Sequence, residues 1–155
     1  MAGEIFAKLG DIKGESTDNA HKDEIEIISF SWGITRPVAA GGAATGKATF
    51  HDFSFVHRID KASPKLLEAC ATNRRLAEAT VTHRKPGGAA NEYLIIKLTD
   101  AMIASVLLTD MSGGGSETVT LTFAKVDFEY KPQKADGSLD AGIHFKFDLK
   151  TNQVA

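Results

Sequence analysis

The sequence predicts a mainly β fold, a barrel or a sandwich, with one short helix packed on it. Three observations carry that prediction. Apolar residues recur with a period near two along most of the chain, as they do on strands with one covered face. The strand-like segments are divided by Gly, Pro, Asn and Asp, which favour turns. A single stretch, beginning near Ser63, carries helix-start signals instead.

The periodicity places strands over residues 5–9, 24–35, 48–56, 79–84, 92–98, 101–108, 117–131 and 142–150. Between the third and fourth, Ala62-Ser63-Pro64-Lys65 opens a helix: Ser63 is the expected cap and Pro64 suits the first helical position. Leu66, Leu67 and Cys70 form its apolar stripe, Asn73 closes it in a left-handed conformation, and Arg74 and Arg75 follow where cations favour the helix dipole. Cys70 on that stripe reads as a small buried hydrophobe.

Two strands exceed the ordinary ~5–6 residues, and their apolar phase changes partway. Ile25 and Ile27 share one face, whereas Ile28, Phe30, Trp32 and Ile34 take the other; Val119, Leu121 and Phe123 hand over to Val126, Phe128 and Tyr130. A one-residue slip reverses every side chain, so each change marks a bulge or a switch in which side is buried. A neighbouring subunit is the economical cover for the second half. The opposite faces carry small hydroxyl residues, Ser29, Ser31 and Thr35 on one strand and Thr118, Thr120 and Thr122 on the other. They fit either the solvated exterior of a monomeric sandwich or the wall of a wet channel.

Composition narrows the function. The chain has 155 residues, 43% of them hydrophobic, with 18 Lys plus Arg against 20 Asp plus Glu and a formal charge of −2. One domain, 1–155, with a real core is expected, and neither disorder nor a dedicated nucleic-acid or membrane binder fits so balanced a charge. The opening MAGEIFAKL has no apolar run of the kind a secretory signal requires. Gly41 to Lys47 imitates a phosphate loop, but Ala48 stands where that motif needs a hydroxyl and a strand follows where it needs a helix. The five histidines, His21, His51, His57, His83 and His144, show no metal-ligand spacing. Alternating acids such as Asp127 and Glu129 read as a solvated face. No catalytic, cofactor or metal site is expected. The eleven-residue Gly/Ala loop from Pro37 exceeds the ~4–6 residue median, a length that tends to be functional.

The landmarks in order are Ile5-Phe6-Ala7-Lys8-Leu9 with Asp11-Ile12-Lys13-Gly14-Glu15-Ser16, His21, Ser29-Phe30-Ser31-Trp32-Gly33, Gly46-Lys47 and Asp52-Phe53-Ser54-Phe55. Asp60-Lys61-Ala62-Ser63-Pro64-Lys65-Leu66, Ala69-Cys70-Ala71, Arg84-Lys85, Glu92-Tyr93-Leu94, Phe123-Ala124-Lys125 and the run from Tyr130 to Ser138 complete them. This series resembles the haemolysin-coregulated protein (Hcp) family of type VI secretion tube proteins. The resemblance implies a β-barrel of two sheets with one flanking short α-helix, like phage tail-tube proteins, assembling as homo-hexameric rings that stack into a tube. It implies small effector proteins as cargo, with the machine's spike and sheath as further partners, and export from the cytoplasm through the machine itself without a signal peptide. Under it Ser29, Ser31, Thr35, Thr118, Thr120 and Thr122 are expected to line the lumen. Ala39, Ala40, Gly41, Gly42, Ala43, Ala44 and Thr45 are expected to contact the adjacent ring. Two competing readings are a monomeric small-molecule-binding barrel, with Trp32, Phe50, Phe53 and Phe55 around an apolar ligand, and a barrel enzyme holding a metal on scattered His and acids.

Overall fold

The computed structural model describes residues 4–43, 46–87 and 91–155. In chain order the elements are β1 (Glu4–Leu9), β2 (Ile25–Ser31), β3 (Ile34–Thr35), β4 (Thr49–Phe50), β5 (Phe53–Arg58), α1 (Ser63–Ala71), β6 (Arg75–Arg84), β7 (Glu92–Met111), β8 (Gly114–Thr122), β9 (Lys125–Tyr130), β10 (Ile143–Asp148) and β11 (Gln153–Val154). Strands β7, β6, β1, β2, β5 and β8 pair antiparallel in that order, and β8 returns to β7, closing a six-stranded barrel. The two segments expected at 92–98 and 101–108 are one strand of 20 residues. Its first half pairs with β6 and β9 and its second half with β8, the halves meeting at left-handed Asp100 (φ 53°). Strands β9, β10 and β11 continue the sheet outward as a wing.

The core follows from alternation. Ala7 and Leu9, Phe53 and Phe55, Val119 and Leu121 are fully buried inside the barrel, whose interior at this strand number is filled by side chains. Each such large side chain contributes about 1.5–3 kcal/mol. The helix adds Ala62, Leu66 and Ala69 to that core. Its stripe therefore differs from the expected one, for Leu67 is exposed and Cys70 half-buried. Ser63 is not the cap: Ala62 holds that position, while Ser63 Oγ accepts the Asp60 N–H at 3.1 Å. Asn73 is left-handed as expected (φ 56°).

One phase change falls at a slip in register and the other at an interruption between strands. The β2–β5 ladder slips between Ile27 and Ser29, leaving Ile27 buried and Ile28 54% exposed. Phe123 and Ala124 interrupt the second long segment, so it forms β8 and β9 rather than one strand. The 24–35 segment likewise splits at Trp32 and Gly33, and 48–56 splits at His51 and Asp52. The resulting β3–β4 ribbon stands apart from the barrel sheet. Phe50 stacks on Phe147 with centroids 4.6 Å apart, and Trp32 lies 6.3 Å from Phe128, so this ribbon is fastened to the wing by aromatic packing.

The segment between β1 and β2 lies over the barrel's outer wall. There Phe6 is stacked 4.5 Å from the His21 ring and 5.1 Å from the Arg84 guanidinium. Arg84 is ion-paired to Glu4 and Asp18. Its hydrogen bonds hold the Asp18 carboxyl down to about 2, and the same bonds push Arg84 further up. Gly14 is required by close approach, since a Cβ there would lie 2.5 Å from the Glu24 carbonyl oxygen.

Candidate functional site

Four strands, β2, β5, β8 and the second half of β7, form one side of the barrel. Alternation points their small polar residues outward. One transverse row runs Ser31, Ser54, Thr120, Ser105, and the next runs Ser29, Val56, Thr118, Leu107. Ser54 Oγ lies 3.5 Å from Thr120 Oγ1. A third row holds Arg58, Ser116 and Thr109, so Arg58 is the single charge across these three rows. The outcome is a nearly neutral hydroxyl surface with apolar spots at Val56 and Leu107, the latter 65% exposed. Such a surface stays hydrated and, Arg58 apart, carries no charge in these rows.

Five of the six hydroxyl residues named from the sequence fall on this face. Ser29, Ser31, Thr118 and Thr120 lie in the two rows, and Thr122 lies farther along β8 opposite Met102. Thr35 does not join them. It sits on the β3–β4 ribbon opposite Thr49, with its Oγ1 3.3 Å from His51 Nε2. Ser54 and Ser105 complete a row that sequence reasoning missed. Their signal was present, since Ser54 occupies the outward phase between Phe53 and Phe55.

The sheet's two margins are open. Among the described residues, 29–31 of β2 have ladder partners on β5 alone, because β1 pairs only with 25–27. Residues 103–111 of β7 have ladder partners on β8 alone, because the β6–β7 ladder ends at the Arg75–Met102 pair. Exposed apolar side chains stand at both margins, Ile28 on one and Leu107 and Leu108 on the other.

The Gly/Ala loop leaves from the β3–β4 ribbon. The Ala39 N–H donates to the Ala43 carbonyl and the Gly42 N–H to the Ala39 carbonyl at 3.0 Å. Gly41 and Gly42 both take φ +88°, which side chains disfavour. Ala39, Ala40, Gly41, Gly42 and Ala43 are exposed, and Ala44 and Thr45 lie outside the described residues.

The competing readings find little support in this geometry. Phe53 and Phe55 are sealed in the barrel, whereas Trp32 and Phe50 are half-buried in the aromatic stack on the wing, so the four surround no common cavity. Among the described residues no group of three or more His, Cys, Asp or Glu is placed to hold a metal ion. No helix there is long and apolar enough to cross a membrane.

A family model described as "Type VI secretion system effector, Hcp" matches residues 6–130. The chain belongs to the Hcp family. Protein hcp1 of Pseudomonas aeruginosa is 41% identical over the full length of both chains. Among solved structures, Hcp1 from Salmonella typhimurium superposes with a TM-score of 0.84 at 33% identity, covering 100% of each chain. A structure described as a type six secretion system protein gives a TM-score of 0.93 at 28% identity over 99% of this chain and 100% of the other. This Hcp protein is thus a secreted tube protein of the type VI machine, and the barrel with its flanking helix is the family fold.

Proposed function

We propose that the whole chain acts as one tube domain, closing into a ring of six copies whose hydroxyl faces form a continuous wet wall. The number six comes from the family. The observation that carries closure is the pair of open edges on opposite margins of a single sheet. Three antiparallel steps separate β2 from β7, so the two edges run in opposite directions, and a neighbour's β7 presents itself antiparallel to β2. Head-to-tail pairing of this kind is heterologous and leaves no edge once the ring closes.

Stacked rings would then make the inner tube, with the loop at 39–45 reaching the adjacent ring. Small effector proteins would travel in the lumen against Ser29, Ser31, Thr118, Thr120 and Thr122, with Thr35 nearer the rim. Spike and sheath are the other partners. The protein carries no chemistry of its own in this reading; it waits in the cytoplasm and leaves through the apparatus when that fires.

Light scattering after size exclusion, followed by negative-stain imaging, tests closure. Sixfold rings are expected. Ile28→Glu and Leu107→Glu together place like charges on the two meeting margins and should leave folded single subunits. A wild-type chain that stays monomeric at high concentration, or rings indifferent to the paired substitution, would overturn the proposal.

A further inference from the structure

Beside the β2 margin opens a hollow of about 470 Å³. Exposed Ile28 lines one side and exposed Ile59, just past β5, another. Three carboxylates, Glu15, Glu26 and Asp60, share the lining with a single cation, Arg58. Glu15 accepts the Lys61 backbone N–H at 2.7 Å and Asp60 the Ala62 N–H at 2.8 Å; neutral donors leave the excess of acid unchanged. Burial raises the Asp60 carboxyl, and the charges of Glu15 and Glu117 add to that rise against the opposing Ala62 N–H and His57. The hollow is walled by apolar side chains and short of positive charge.

One exposed segment of the chain has the complementary make-up. From Ile27 to His51 there is no Asp or Glu, while Arg36 and Lys47 flank the Gly/Ala loop. Val38 is 60% exposed, and Ala39 to Ala43 stand in solvent beyond it. Arg36 donates one N–H to the Gly46 carbonyl at 3.2 Å, which draws the loop together without neutralising the guanidinium. The other protruding apolar segment, the β7–β8 hairpin with Leu107, Leu108 and Met111, carries only acids between Lys97 and Lys125. Its Asp110 would meet like charge in the hollow.

We propose that this hollow is a socket for the Gly/Ala loop of a second copy, with Val38 against Ile28 and Ile59 and with Arg36 and Lys47 facing the carboxylates. The chain's own loop is held away from it. From Ile28, β2 leads off to the β3–β4 ribbon, β5 returns from that ribbon to Ile59, and the aromatic stack fastens the ribbon to the wing. Loop and hollow therefore stand at opposite ends of one strand pair. In a ring every copy presents the same end to the same rim, so the loop that fills a socket comes from the next ring; the inference rests on the ring reading above. In the adjoining hollow beside α1, Lys13, Lys61, Lys65 and Arg74 outnumber Asp11 and Glu68. That surface repels a cationic loop and so fixes where it lands. A single ion pair contributes little at a surface, but the copies around a ring engage together.

The test is cross-linking between two forms of the full chain, both Cys70→Ala, one carrying Val38→Cys and the other Ile59→Cys. Negative-stain images first establish rings of each form, and a third form with Val154→Cys, on the exposed edge of the wing, is the control. Mixed under a mild copper oxidant, the Val38→Cys and Ile59→Cys forms should give a disulfide-linked dimer on a non-reducing gel and stacked rings in images, several-fold more than Val38→Cys gives with the control. Adding Glu15→Lys and Glu26→Lys to the socket form should cut the linked fraction several-fold. Adding Arg36→Glu and Lys47→Glu to the loop form should then restore it. Rings that link no better at Ile59→Cys than at Val154→Cys, a loss that the reversed loop charges do not repair, or links confined to unstacked rings would overturn the socket and leave ring closure standing. Absence of rings in every form, the unmodified chain included, would instead overturn the ring reading and this inference with it.

Discussion

The pair beneath the hydroxyl face gives the sharpest energetic prediction. His57 and Glu117 are cross-strand partners, both fully buried, joined at 2.7 Å between Nε2 and Oε1. Neither His57 Nδ1 nor Glu117 Oε2 makes a hydrogen bond within the chain, so the shared bond carries the compensation for removing both groups from water. Taking away one partner leaves the other buried and unpaired. Glu117→Leu or His57→Leu alone should therefore destabilise by about 3–5 kcal/mol, roughly two to four powers of ten in the unfolding constant. The double variant His57→Leu/Glu117→Leu removes both desolvation costs and substitutes packing. It should return to within about 2 kcal/mol of the parent, or exceed it. Urea unfolding of all four chains closes the cycle, with equal slopes confirming that the same surface is exposed. Additive losses, with the double variant as unstable as the two singles summed, would refute the reasoning. That result would mean the pair is held by its surroundings and not by its own bond.

Other predictions follow from the same structure. Gly14→Ala brings a Cβ within 2.5 Å of the Glu24 carbonyl oxygen and 2.7 Å of the Ile25 Cα; backbone must move, at a cost of about 1–3 kcal/mol, and calorimetry should show a midpoint lower by several degrees. Asp18 is held at about 2 by Arg84, a depressed carboxyl. Its contribution is complete above about pH 4 and is lost as pH falls toward its folded value. The stability gap between parent and Asp18→Asn should narrow over that interval, and a gap constant with pH would contradict the assignment. Ser31→Gln puts a longer side chain on the hydroxyl face and should weaken retention of cargo while leaving ring images unchanged. Deleting three residues within 39–45 should shorten tubes but spare single rings.

Much of the fold was legible because burial imposes a period on a strand. Ile25, Ile27, Val119 and Leu121 announced their inward phase, and the handovers at Ile28 and Val126 announced that something must slip or turn. The length of β7 was hidden for a local reason. Asp100 takes a left-handed conformation (φ 53°) that looks like a turn in sequence, yet the ladder continues on either side. The face itself was visible as alternating hydroxyls, but its rows were not, because Ser31, Ser54, Thr120 and Ser105 meet only through cross-strand register. The histidine–carboxylate contacts were least visible. His57 and Glu117 are separated by 60 residues, and Asp127 and Glu129 looked like a solvated acidic face until His144 was laid across them. Residue spacing records what one element does to itself; it carries no trace of which strand will lie alongside.

The two levels of the molecule then bear on one another. The row beneath the hydroxyl face runs from Ile27 through His57 and Glu117 to Leu108, from one open margin to the other. Ile27 is the last β2 residue paired to β1, and Leu108 lies within the open stretch of β7. A strand edge that must meet a neighbour needs its position fixed to a fraction of the ~4.8 Å strand spacing, and apolar packing alone tolerates repacking with loss of uniqueness. A hydrogen bond between two buried polar groups is directional and does not. The His57–Glu117 pair is therefore expected to fix the register of the margins in addition to contributing stability. The double leucine variant, though expected within about 2 kcal/mol of the parent, should form rings less uniformly. Class averages of that variant against the parent would decide, and identical averages would reduce the pair to an element of core stability alone.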